Sequence, residues 1–315
     1  MSQVAKPIVG DESSEAVKRF RIEFSVQSLL ACCAAISVFT TIGIVVVLVH
    51  GSVKFFELVS IWDFLTDTRW APLSKKDPHF GVLPLACGTM LVAVGAALFA
   101  VPIGLATAVY LSEYAPRGLR NVVKPLLEIL AGIPSVVYGF LAVMFVSPWI
   151  QSMAPQEGPF KASPSNALSA AIVVGIMILP MVVSLSEDVL RSVPRSLRDA
   201  AFALGSTKFE VIVRVLLPAA LSGIVAAVLL AICRAIGETM AVALAAGNTP
   251  NLTLNPLERV QTMTAYIVQV SIGDSPVGSP QYYTIFAVAA TLFVITMTMN
   301  VIAQWILSRM RERYE

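Results

Sequence analysis

Six apolar runs divide this chain, at residues 25–50, 81–111, 125–150, 167–185, 216–246 and 282–307. Crossing the hydrocarbon core of a bilayer takes about 20 helical residues, and each run is of that order. Inside lipid every backbone N–H and C=O must be satisfied within the segment, so such runs fold as helices. The composition agrees: 57% of the chain is hydrophobic and 13% charged, which excludes a soluble globular fold. The expected class is an all-α membrane protein with six transmembrane helices. The first run is too long for the apolar core of a cleaved signal, so it stays as an N-terminal membrane helix.

The connecting segments set the orientation. Residues 1–24 and 308–315 read as cytoplasmic tails. The segment 51–80 carries Trp62, Trp70 and several phenylalanines and is expected to lie partly along the outer interface. Lys and Arg in the tails, in 112–124 (Arg117, Arg120, Lys124) and in the loop 187–217 outnumber those in the alternating segments (Lys54, Arg69, Lys75, Lys76, Lys161, Arg259). Basic residues favour the cytoplasmic side, so both termini and the loop 187–217 are placed there.

Arg234 is a charge inside the fifth run, where an unpaired side chain costs about 2.5–3.5 kcal/mol even on the lenient insertion scale. Glu238 follows one helical turn later on the same face, and the spacing predicts an ion pair within one helix. An arginine keeps its charge and offers a planar fork of donors, which suits an oxyanion. In that scheme Glu238 competes with the anion for Arg234, and Thr239 adds a hydroxyl. Pro102 and Pro180 each remove a hydrogen bond from a membrane helix. The stretch Leu130–Gly139, L-A-G-I-P-S-V-V-Y-G, holds Gly132, Pro134 and Ser135. It reads as a local break that either lines a pathway or lets a partner approach closely.

The longest basic loop contains D-A-A-F-A-L-G-S-T-K-F-E-V-I-V-R-V-L-L-P, residues 199–218. Ala200 and Ala201 let a helix pack closely against a partner, Gly205 allows a turn at positive φ, and Pro218 can begin the next helix. Such a loop suits a grip by another protein. It resembles the E-A-A-x3-G-x9-I-x-L-P coupling loop of ABC importer permeases, with Asp199 for the glutamate, Val215 for the isoleucine, and Leu217 and Pro218 in register.

Together with R-A-I-G-E-T-M-A-V (234–242) and the A-G-I-P-S-V-V-Y-G stretch, the loop makes the chain similar to the phosphate-specific ABC importer permeases from about residue 81 to 307. G-E-T-M-A-V favours the PstC-type over the PstA-type subunit. The resemblance implies a type I permease fold, an extra N-terminal helix plus a five-helix core over 81–307, in a bacterial inner membrane. It further implies phosphate as cargo and Arg234 and Glu238 in its passage. The implied partners are a PstA-type second permease, a PstB-type ATPase dimer and a periplasmic PstS-type phosphate-binding protein, with no nucleic acid.

The chain holds no G-x-x-x-x-G-K-[ST] loop, so no catalytic residues and no cofactor are expected in it; ATP and Mg belong to the partner ATPase. Cys32, Cys33, Cys87 and Cys233 lie in apolar runs and read as small core residues, and no metal site is expected. His50 and His79 are read as isolated interfacial residues, and Glu128 as a snorkelling or paired residue one turn from Lys124. Two other classes stand beside this reading: a secondary anion carrier, opposed by the coupling-loop grammar, and a membrane scaffold, opposed by the charge at Arg234.

Overall fold

The computed structural model describes residues 12–72, 74, 77–155, 157–158, 161–273, 276 and 278–310, without the side chains of 12–22, 307 and 310. Lys75, Lys76, the first eleven residues and the tail from Arg311 lie outside the described residues. Two compact units divide the chain, Met1–Gly51 and Ser52–Glu315.

Most of the first unit is helix α1 (Glu12–Phe56), which runs past the expected end at His50. From Glu23 to His50 none of its residues is buried. Thr40 and Thr41 return their hydroxyls to the carbonyls of Ile36 and Ser37, so neither presents an unsatisfied donor. Cys32 and Cys33 are exposed here, which corrects their reading as core residues.

The second unit opens with α2 (Ile61–Thr66) and a short antiparallel pair, β1 (Trp70–Ala71) and β2 (His79–Phe80). Helix α3 (Leu83–Val109) follows, then α4 (Arg117–Ala131), α5 (Ser135–Leu141), α6 (Ser147–Met153), α7 (Ala167–Ser192) and α8 (Arg195–Ala203). The chain closes with α9 (Lys208–Val211), α10 (Leu217–Ile236), α11 (Met240–Ala245), α12 (Met263–Ile272) and α13 (Pro280–Met310). Six helical stretches among the described residues are long and apolar enough to cross a membrane: 23–56, 83–114, 135–153, 167–192, 208–236 and 280–306.

Helices α3 and α7 form the centre of the unit, and both run unbroken through Pro102 and Pro180. They approach so closely that a Cβ on Gly175 would lie 2.8 Å from the Phe99 ring and 3.1 Å from the Ala96 carbonyl. Val92, Ala96, Ala100, Val174 and Ile178 fill the seam, and α10 and α11 add Ala231, Ala235 and Ala241. Small residues at such seams let dispersion act between backbones where lipid supplies no hydrophobic drive. A second core gathers Phe55, Phe64 and Trp70 around Tyr266, whose ring meets Trp70 edge-on at 4.9 Å. Phe55, Phe64 and Trp70 are buried, whereas Trp62 is exposed.

Among the described residues three turns of π-helix interrupt the bundle, Tyr110–Tyr114, Ala142–Val146 and Ile212–Leu216. Each is followed two residues later by a proline, Pro116, Pro148 and Pro218. A proline ring lacks the N–H and crowds the carbonyl four residues back. In the two continuous spans that carbonyl, of Met144 and of Arg214, falls inside the wider turn. The preceding amides, of Ser147 and Leu217, bond five residues back to Ala142 and Ile212. Pro218 stands in the first turn of α10, and the membrane span that contains it begins earlier, at Lys208.

The third and fifth runs also differ from expectation. Residues 117–131 form a separate amphipathic helix, and the third span begins only at Ser135. The fifth run stops at Ile236, and the loop expected over 247–281 contains α12, whose Met263 and Tyr266 are buried.

Candidate functional site

At one end of the bundle the chain leaves α7, turns through Val193 and Pro194, and forms α8. Gly205 then adopts φ +82°, a value that only glycine takes without strain. Thr207 opens α9 with a capping box: its hydroxyl accepts the Glu210 amide at 3.4 Å, and the Glu210 carboxylate accepts the Thr207 amide at 2.9 Å. Asp199, Ala200 and Gly205 are exposed and Ala201 is buried. Val215 and Leu217 are half-buried within the span, and Pro218 is exposed on it. Around the glycine turn Phe202, Leu204 and Phe209 stand out, with Leu204 87% exposed. The expected loop 187–217 is therefore a helix end, a short helix, a glycine turn and the start of the next span.

Arg234 lies in the last turn of α10, exposed, and forms no ion pair among the described residues. The C-terminal end of a helix favours a cation through the backbone dipole. The helix stops two residues before Glu238, so the expected pair within one helix does not form. Instead the Glu238 carboxylate accepts the Ala241 amide at 3.2 Å, satisfying a free donor at the start of α11. Thr239 donates its hydroxyl to the Gly237 carbonyl at 3.2 Å. The Glu238 carbonyl takes the Thr264 hydroxyl at 2.8 Å, so α12 holds the break from the other side.

Gly132, Pro134 and Ser135 do form a break: α4 ends at Ala131 and α5 begins at Ser135. The Tyr138 hydroxyl donates across it to the Leu130 carbonyl at 2.8 Å. Helix α5 packs against α11, where a Cβ on Gly139 would sit 3.0 Å from Ala241 Cα. The structure thus packs together the two short helices that follow the breaks at 132–134 and 237–239.

Sequence reasoning missed a charge cluster between α4 and α7. Glu187 is buried, with Arg120 at 2.7 Å, Lys124 at 3.2 Å and Arg191 at 3.6 Å; Lys124 also reaches Asp188 at 2.9 Å. The hydrogen bond to Asp188, reinforced by Glu187, outweighs burial and raises the Lys124 pKa, so the cluster keeps its cation. Lys124 is therefore not paired with Glu128, which is exposed on the wall of a cavity of about 300 Å³ beside the cluster. The i, i+4 spacing of Glu187 and Arg191 was the available signal. His79 was also misread: its ring nitrogens lie 2.8 Å from Asp67 and 3.0 Å from Asp77. Among the described residues no group of His, Cys, Asp and Glu is arranged to hold a metal.

Comparison with known proteins agrees with this architecture. A probable ABC transporter permease of Bacillus subtilis strain 168, YqgH, is 34% identical over 90% of this chain and 90% of its own length. The phosphate transport system permease protein PstC of Mesorhizobium japonicum is 32% identical over 99% of this chain and 98% of its own. Among solved structures, a bacterial alginate ABC transporter chain superposes with TM-score 0.63 at 14% identity, covering 93% of this chain and 96% of that one. The MetNI methionine ABC transporter, in an inward-facing conformation, gives TM-score 0.57 at 19% identity over 72% of this chain and 96% of that one. These structures share the fold. With the family model matching residues 100–312, the chain is a multi-pass membrane protein that belongs to the binding-protein-dependent transport system inner membrane component family.

Proposed function

We propose that this chain is one permease of an ATP-driven phosphate importer, forming half of the passage through a bacterial inner membrane with both termini in the cytoplasm. The observation that carries the reading is Arg234. It is a permanent cation at a helix break in a membrane span, without an ion-pair partner in its own chain among the described residues. A guanidinium at the end of a membrane span with no counter-charge in its own chain among the described residues suits an anion or a group from a second subunit as its partner. The 32% identity to a phosphate permease across nearly the whole chain supports phosphate as the anion. Thr239 lies beside the same break. Glu238 acts by holding the start of α11 rather than by competing for Arg234. The break at Gly132, Pro134 and Ser135 belongs to the same passage, a reading supported by the packing of α5 on α11.

Energy enters through a separate ATPase dimer that binds ATP and Mg and grips the exposed turn around Gly205, where Phe202, Leu204 and Phe209 offer an apolar tip. A related second permease completes the passage, and a periplasmic binding protein delivers the phosphate. The test is phosphate uptake into proteoliposomes holding the whole complex. Wild type takes up phosphate only with ATP, Arg234→Ala assembles but does not transport, and Gly205→Asp loses the ATPase subunit. Uptake that continues without ATP would make the protein a secondary carrier and sink the reading.

A further inference from the structure

Arg198 stands one residue before the exposed face of the coupling segment and joins three elements. Its Nη1 lies 3.0 Å from the Glu113 carboxylate, at the π-turn that ends the α3 span. Its Nη2 donates to the Leu190 carbonyl, in the last turn of α7, at 2.7 Å. That carbonyl is one of the four that a helix end leaves without an internal partner. The fork of the guanidinium is thus divided between the ends of α3 and α7, the two helices that form the centre of the unit. Both charged side chains are largely shielded, at 19% and 13% exposure, and Ser112 donates its hydroxyl to Glu113 at 3.1 Å. Beside them Leu197 packs on the cluster of Ala108, Leu190 and Ile212, and the Lys208 ammonium lies 4.6 Å from the Tyr114 ring centroid. Among the described residues, Arg198 carries the one ion pair that α8 makes to the rest of the unit.

We infer that Arg198 and Glu113 are positioning residues that transmit movement of α8 to α3 and α7 together. A helix resting on apolar contacts alone can slide, because such contacts have no preferred direction. A divided, shielded guanidinium resists sliding, since moving α8 relative to either helix end separates a charge pair or uncovers a carbonyl. With the link intact, a pull on α8 displaces the ends of α3 and α7 by the same step. Without it, α8 shifts and the spans do not follow.

This inference rests on the ATP-driven reading above, and the experiment separates the two. The complete transporter is reconstituted with its ATPase and binding protein, and phosphate taken up per ATP hydrolysed is measured for wild type, Arg198→Gln, Glu113→Gln, the double variant and Arg198→Lys. The expected result is ATPase subunit retained at wild-type stoichiometry and ATP still hydrolysed. The uptake ratio falls about tenfold in each single variant and no further in the double, as for partners in one interaction. Arg198→Lys, which keeps the charge but cannot divide a fork between two acceptors, recovers only part of the ratio. An unchanged ratio in Arg198→Gln, losses that add in the double variant, or loss of the ATPase subunit would each overturn the transmission role. Absence of ATP-dependent uptake in wild type would instead sink the importer reading itself.

Discussion

Glu187 Oε1 lies 2.7 Å from Arg120 Nη2, and this contact joins α7 to a helix, α4, that buries none of its own residues. Ion pairing rather than apolar burial therefore fixes α4. Removing one partner of a shielded pair leaves the other uncompensated. Glu187→Gln is expected to destabilise the α4 contact by ~1–3 kcal/mol, a value reduced from the fully buried case because Arg120 and Lys124 keep some water. Hydrogen exchange over 117–131 should speed up while α3 and α7 keep their protection; unchanged exchange in α4 would contradict the role.

Glu238 presents an acceptor to the Ala241 amide, so its shape matters more than its charge. Glu238→Gln should retain most transport, whereas Glu238→Ala should lose about 1 kcal/mol of local stability, as for a helix cap. Equal and severe losses of uptake in both variants, with normal assembly, would return the charge to a direct role at Arg234.

Gly205 occupies φ +82° in open space, so a side chain there meets no neighbour and only the backbone is strained. Gly205→Ala should cost ~1–2 kcal/mol, and Gly205→Asn less, because asparagine visits the left-handed region more readily. Retention of the ATPase subunit on the purified permease should follow the order Gly, Asn, Ala. A reversed order would show that the turn is not the determinant.

His79 links Asp67 to Asp77, and hydrogen bonds first to Asp67 and then to Asp77 raise its pKa above the ordinary 6.5. Burial alone would raise the Asp67 carboxyl. The His79 hydrogen bond and the Arg69 amide outweigh it, leaving the group below its ordinary 3.8. The histidine contribution is thus complete below pH 6.5 and lost as pH rises through the raised value. The Asp67 contribution is present above 3.8 and lost as pH falls through the lowered one. Trp70 fluorescence should report a hairpin that loosens above pH 6.5, and His79→Gln should flatten that response. A pH response that survives His79→Gln would place the titrating group elsewhere.

Hydropathy made the six spans legible, because lipid forces each to satisfy its own backbone. It misplaced the third because Leu126, Leu127, Ile129 and Leu130 read as lipid-facing residues, whereas Arg120 and Lys124 anchor that helix to Glu187. The end of α10 was also invisible. No proline marks it, Gly237 keeps a right-handed conformation, and Thr264, far along the chain, takes part in holding the break. The pairing of Arg234 with Glu238 assumed a continuous helix and failed with it. The turn at Gly205 was legible because a glycine placed for positive φ is a local device, whereas the equally local capping box of Thr207 and Glu210 went unread. The link from Arg198 to Glu113 was not, since nothing local announces that the two residues meet.

The wide turn at Ile212–Leu216 has one more effect. A π-turn amounts to one extra residue in an α-helix, so every side chain beyond it is rotated by about 100° from where an uninterrupted helix would aim it. The compass bearing of Arg234 is accordingly set near the opposite end of its span. Deleting a single residue between Ile212 and Leu216 would let the turn close to α-helical geometry and keep the guanidinium on its bearing, whereas closing the turn without a deletion would swing it onto a different neighbour.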